Sequence, residues 1–260
     1  MTRPVITFLS DFGPAAPAVC RAVMFRIAPD ANIIDINHQV PRYSIRDGAA
    51  SLVFALPHMP VGVHVAVVDP GVGTDRLPIG IRVRRGDVLI GPDNGLLVGA
   101  AERLGGIAEV RVLENRDLML PVVTSSFHGR DLFSPLAAHI AMGVSFDSVG
   151  RTIPASDLVR LPVPEPTVEP GRLISQVVSV MIYGNVTLAG RPLRVAFAAT
   201  DDGPAVHDDT VWGVTFGSVA LGSSVVMADS EGNLSLADNQ GDAARRLGLA
   251  VDRPVIVSAR

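Results

Sequence analysis

Hydrophobic positions in the first 160 residues fall into short, almost unbroken runs. Val5–Leu9, Ile33–Ile36, Val63–Val68 and Val110–Leu113 are rich in Val and Ile and read as strands buried on both faces. Between them, Val19–Ala28, Ile45–Leu56, Gly95–Leu104 and Asp131–Met142 have the length and apolar spacing of helices, and Pro29 and Pro57 end the first two. The alternation predicts an α/β N-terminal domain, a largely parallel sheet flanked by helices.

The texture then changes. The run from Leu161 to Gly171 holds four prolines in eleven residues and reads as a stiff linker. Beyond it the pattern is short strands and turns: Leu173–Ile182, Leu193–Ala198, Ser223–Met227 and Asn233–Ala237, then one helix near Asp242–Leu247 and a last strand at Val255–Val257. The expected division is an α/β catalytic domain over 1–161, a Pro-rich linker over 162–170 and a smaller all-β domain, a barrel or sandwich, over 171–260.

Composition narrows the function classes. Hydrophobic residues make up 48% and charged residues 18% of the 260, a globular balance. With 22 basic against 26 acidic side chains and no long basic run, neither nucleic acid nor a membrane surface is expected as a partner. The single cysteine, Cys20, excludes an internal disulfide and a multi-cysteine zinc site. The N-terminus enters a strand directly, with no secretory pattern, and the uncharged stretch Val211–Ala228 is broken by Gly and Ser. A cytoplasmic protein is expected.

Four loop motifs follow strands of the first domain. They are Ser10-Asp11-Phe12-Gly13, Asp69-Pro70-Gly71-Val72-Gly73-Thr74-Asp75-Arg76, Pro92-Asp93-Asn94-Gly95 and Phe127-His128-Gly129-Arg130-Asp131. In open α/β sheets ligands bind at the carboxyl ends of the strands. Each motif alone is weak. Asp-Phe-Gly has no accompanying kinase elements, Gly71-Val72-Gly73 lacks a third glycine, and no phosphate-loop lysine follows.

In combination, their order and spacing resemble the S-adenosylmethionine hydroxide adenosyltransferase family, hydrolytic relatives of the adenosyl fluorinase and chlorinase. Ile34-Asp35-Ile36-Asn37-His38, Tyr183-Gly184-Asn185, Asp229-Ser230-Glu231-Gly232-Asn233-Leu234 and Asn239-Gln240-Gly241-Asp242-Ala243-Ala244 extend the resemblance over nearly the whole chain. It implies hydrolysis of S-adenosyl-L-methionine to adenosine and L-methionine, with no cofactor and no metal, by a homotrimer whose sites lie between subunits. The family's water-activating set falls on Asp69, Arg76 and His128; halide-using relatives typically carry an uncharged residue at the Asp69 position. Asp11 matches the residue holding the ribose hydroxyls and Asn185 the one contacting adenine. Asn94, Phe127 and Ser230 complete the implied substrate contacts.

The chain departs from the family pattern on the methionine side. The loop Gly13–Ala18 lacks the usual Asp and Tyr, Val180, Met181 and Ile182 stand where an acidic residue is usual, and Leu188-Ala189 replaces a Thr-Asn pair. Two alternatives therefore stay open: a non-catalytic adenosine-binding protein and a hydrolase of another adenosyl sulfonium. Elsewhere ordinary structure is expected. Asp35 and His38 read as a hydrogen-bonded pair, and His58 and His64 have a poor spacing for a metal. Asp201-Asp202 and His207-Asp208-Asp209 read as solvated loop, Cys20 as a packed small side chain and Trp212 as core or interface.

Overall fold

The structure, a computed structural model, describes residues 3–162, 167–170, 172–177, 186–187, 193–200, 203–230 and 232–259. Contacts divide the chain into two compact units, Met1–Leu161 and Pro162–Arg260.

The first unit is built from β1 (Val5–Ser10), α1 (Ala16–Ile27), β2 (Asn32–Asn37), α2 (Ile45–Ala55), β3 (Val63–Val67), β4 (Pro78–Val83), β5 (Val88–Pro92), α3 (Val98–Arg103), β6 (Ile107–Val112), α4 (Ser134–Ala141) and β7 (Thr152–Ile153). Its seven strands form one sheet in the order β2-β1-β3-β5-β4-β6-β7. Strands β2, β1, β3 and β5 run parallel, whereas β4 is antiparallel to both β5 and β6, and β7 is antiparallel to β6. The sheet is thus mixed, correcting the expected largely parallel one. The cause is the β4–β5 hairpin: its apolar residues alternate with Gly80 and Arg82 in β4, so no continuous run marks that strand. Gly86, at φ +106°, makes the turn.

Alternate strand residues enter two cores. Ile6, Phe8, Val63, Val65 and Val67 pack with Cys20 and Met24 of α1 and Leu136 and Ala137 of α4. Leu9, Ala66 and Val68 pack on the opposite face with Leu52 of α2 and Ala100 and Ala101 of α3. Cys20 is fully buried in the core between α1, α4 and the sheet, and burial pushes its thiol up to about 11, so it behaves as a small apolar side chain. A polar chain is also buried: Thr7 Oγ1 lies 2.9 Å from His64 Nδ1, and His64 Nε2 lies 2.9 Å from Asp87 Oδ1. Burial would raise the Asp87 carboxyl, but bonds from His64 and Arg85 outweigh it and hold the group well below the usual carboxylate range.

The second unit contains β8 (Thr167–Glu169), β9 (Arg172–Gln176), β10 (Val186–Thr187), β11 (Leu193–Phe197), β12 (Val206–Trp212), β13 (Ser224–Ala228), β14 (Leu234–Asp238), α5 (Ala243–Leu247) and β15 (Pro254–Ala259). Its sheet has the order β10-β14-β13-β12-β11-β15-β9-β8, with β12 and β13 paired in parallel and the other pairings antiparallel. This mixed sheet stands where an all-β barrel or sandwich was expected, and the one helix expected near Asp242–Leu247 packs on it through Ala243, Ala244 and Leu247. His207-Asp208-Asp209 also departs from expectation: it lies in β12, where Asp208 pairs with Arg246 and Asp209 with Arg194. Cross-strand charge pairing makes an acidic run compatible with a strand. Trp212 ends β12 and is exposed. Asp201 and Asp202 lie outside the described residues.

Candidate active site

Because β1, β2, β3 and β5 are parallel, the segments leaving their carboxyl ends gather on one edge of the first unit's sheet. Two glycines let these loops touch. A Cβ on Gly73, whose φ is +79°, would lie 2.5 Å from the Ser125 carbonyl oxygen, and one on Gly129 would lie 2.7 Å from the Phe12 ring. The resulting cleft, about 270 Å³, is walled by Asp11 and Phe12 from the first loop, Asp69 and Val72 from the second, and Phe127 and His128 from the last, with Arg42 and Tyr43 at its side.

Arg76 ties the polar wall together. Its Nε donates to Asp69 Oδ1 and Oδ2 at 3.0 Å each, and its Nη2 donates to Asp69 Oδ2 at 2.5 Å. The same Nη2 lies 2.8 Å from His128 Nδ1. A guanidinium has only donors, so His128 Nδ1 is the acceptor and the imidazole proton sits on Nε2. Burial, then the nearby Arg76 charge, pulls the His128 pKa below the ordinary histidine value, which keeps that neutral tautomer. Arg76 also rests over the Phe133 ring at 5.4 Å, so its fork is fixed from behind.

His128 is set by an unusual backbone. It precedes a π-helical turn, Gly129–Phe133, that runs straight into α4, and such turns recur at functional sites. The fully buried Asp131 anchors the turn, accepting from Thr124 N at 2.9 Å, Thr124 Oγ1 at 2.6 Å and Arg130 Nε at 2.5 Å. Burial opposes its ionisation, yet these bonds hold its pKa below the ordinary carboxylate value.

The other residues singled out in the sequence fare differently. Asp11 and Phe127 line the cleft; Asp11 Oδ2 accepts from Tyr43 N at 3.0 Å, and Phe127 meets Phe12 edge to face at 5.5 Å. Asn94 does not line it: its amide donates to Val68 O at 2.9 Å, bracing the residue before Asp69. Ser230 is exposed in the turn between β13 and β14 of the second unit, and Asn185 lies outside the described residues. Arg42 and Tyr43 gave no sequence signal, since their loop has no strand-end glycine; Tyr43 is at φ 66°, a left-handed conformation rare for its type. Among the described residues no group of three or more His, Cys, Asp or Glu is placed to hold a metal, and no helix is long and apolar enough to cross a membrane.

Comparison with known proteins shows the family. Models of the SAM hydroxide adenosyltransferase N-terminal and C-terminal domains match residues 6–150 and 176–256. The chain is 42% identical to a (R)-S-adenosyl-L-methionine hydrolase of Salinispora tropica, covering 95% of this chain and 94% of that one. It is 36% identical to a hydrolase of the same name from Thermus thermophilus, over 97% and 98%. A fluorinase of Actinopolyspora mzabensis is more distant, at 26% over 94% and 93%. The fold resembles that of a crystal structure of an uncharacterized conserved protein from Thermotoga maritima, with TM-score 0.87, 33% identity and coverage of 98% and 100%.

Proposed function

Since the chain belongs to the S-adenosylmethionine hydroxide adenosyltransferase family, we propose that it hydrolyses S-adenosyl-L-methionine, with Asp69, Arg76 and His128 activating the water. One observation carries the residue-level reading: Arg76 bridges Asp69 and His128 on the wall of the cleft that Asp11 also lines. The water oxygen attacks the adenosyl C5′ as the C5′–S bond breaks. Sulfur keeps the bonding pair and leaves as the neutral thioether of methionine, so no acid is required. The water gives up one proton, and adenosine, methionine and that proton are the products.

The tautomer divides the labour. His128 Nδ1 is occupied by Arg76, so the imidazole cannot take a proton there; its Nε2–H donates to a lone pair of the water and aims the other at C5′. Asp69 is the proton acceptor, and the Arg76 charge favours hydroxide character in the attacking oxygen. Asp11 clamps the ribose hydroxyls and Phe127 offers an aromatic wall. Asn185 and Ser230 serve adenine and the methionine end, from a neighbouring subunit of a homotrimer in the cytoplasm. This chemistry requires no metal and no cofactor.

The test is hydrolysis in 18O-water, in chloride-free buffer, beside Asp69→Asn. Label in the 5′-hydroxyl of adenosine, with equal methionine and a rate about 10² to 10⁴-fold lower in the variant, is the expected result. Adenosine bound but never formed would replace this reading with that of a binding protein. A sedimentation mass other than three chains would remove the trimer.

A further inference from the structure

The loop that carries Asp11 is held from beneath by a histidine that does not reach the cleft. Strand β2 skips a residue against β1, with Phe8 opposite Asp35 but Leu9 opposite Asn37, and this bulge turns the chain so that His38 lies under Ser10. Ser10 is fully buried at the end of β1, and its Oγ lies 2.8 Å from His38 Nδ1. The same oxygen accepts from Phe12 N at 3.4 Å. One further bond closes the turn: Gly13 N, at φ +71°, donates to His38 O at 2.9 Å. The ring itself is fixed edge to face on Phe8 at 4.7 Å.

Ser10 Oγ accepts from Phe12 N and shares a hydrogen bond with His38 Nδ1, the hydroxyl donating when the ring carries its proton on Nε2. His38 Nε2 lies 3.1 Å from Asp35 Oδ1 and has no hydrogen-bond partner among the described residues. Asp35 is paired with Arg21 of α1. Burial, then the Arg21 charge, lowers the His38 pKa to about 4, consistent with a neutral ring that accepts at Nδ1.

We propose that His38, acting through Ser10, is a positioning residue for ribose recognition: it fixes the Ser10 hydroxyl, which fixes the Ser10–Gly13 turn and hence the Asp11 carboxylate. The proposal rests on the assignment of Asp11 to the ribose hydroxyls. Neither Ser10 nor His38 touches substrate; both act by removing alternative conformations of the turn, so their loss weakens binding more than chemistry.

The test is calorimetric binding of adenosine and of 2′,3′-dideoxyadenosine to the full chain, which does not depend on turnover. Ser10→Ala, which deletes one oxygen, and His38→Leu should each weaken adenosine binding about 5- to 10-fold. The double variant should be no weaker than either single, because the two side chains act as one unit. His38→Asn, which returns an acceptor near the Nδ1 position, should restore most of the affinity. Dideoxyadenosine, with no hydroxyls for Asp11, should bind all folded variants alike. Unchanged adenosine binding in Ser10→Ala, or an equal loss for both nucleosides, would overturn the proposal, and Ser10→Ala decides the matter even where His38→Leu does not fold. If the unaltered protein binds the two nucleosides equally, the ribose role of Asp11 fails and the proposal with it. Loss of hydrolysis with both affinities intact contradicts the positioning role alone.

Discussion

At the scale of single residues, the site depends on a shape that only arginine has. The Arg76 fork grips the Asp69 carboxylate through Nε and Nη2 while Nη2 also reaches His128; a lysine would keep the charge but lose that planar two-point grip. Arg76→Lys should therefore lower kcat at least about 100-fold while leaving the melting temperature within a few degrees. Retention of more than a tenth of the activity would mean that charge alone suffices. The neutral His128 sets the pH response. Its folded pKa lies below the ordinary histidine value, so the active form is present above that value and is lost as pH falls through the lowered one. A flat kcat/KM from pH 8 to about 6.5, with the decline below it, is expected in a pH-rate profile. A decline beginning above pH 7 would show that His128 works protonated.

At the scale of elements, loops were more legible than strands. The Gly and Pro punctuation of the four motifs marks fixed turns, and the sheet supplies a common edge for them. Gly73 illustrates how narrow the tolerance is. Alanine there must adopt a left-handed φ, at about 1 kcal/mol, and its methyl would meet the Ser125 carbonyl at 2.5 Å. Gly73→Ala should separate the Asp69–Arg76 loop from the His128 loop, costing about 2 kcal/mol in denaturant unfolding and most of the activity. Normal kinetics in this variant would show that the close approach is dispensable. What stayed hidden was hidden for physical reasons. β4 has no continuous apolar run, and the turn from it to β5 has no Asn-Gly signal. The π turn at Gly129–Phe133 is indistinguishable by spacing from the helix it enters. β12 is written partly in charges that become neutralised only once Arg194 and Arg246 are brought beside it.

At the scale of the whole molecule, each unit has apolar clusters of its own among the described residues. The apolar clusters of the first unit lie between Ile6 and Leu161, and those of the second between Leu173 and Val257. Residues 1–161 expressed alone should therefore unfold in one cooperative transition followed by circular dichroism. They should form no adenosine, since the implied adenine contact, Asn185, belongs to the other unit. Turnover by the fragment would confine the site to the first unit. The alternation of buried strands and helices, the change of texture after residue 160 and the motif residues Asp11, Asp69, Arg76, Phe127 and His128 are legible along the chain. Burial pattern and turn chemistry are local properties, readable in order along the chain. Long-range packing sets the rest: β4 is antiparallel, Asn94 braces a carbonyl instead of facing the cleft, and Ser10 and His38 stand behind Asp11. Those outcomes depend on which groups meet across 26 or 28 residues of chain, and a hydrogen bond of 2.8 or 2.9 Å leaves no periodic trace in the sequence.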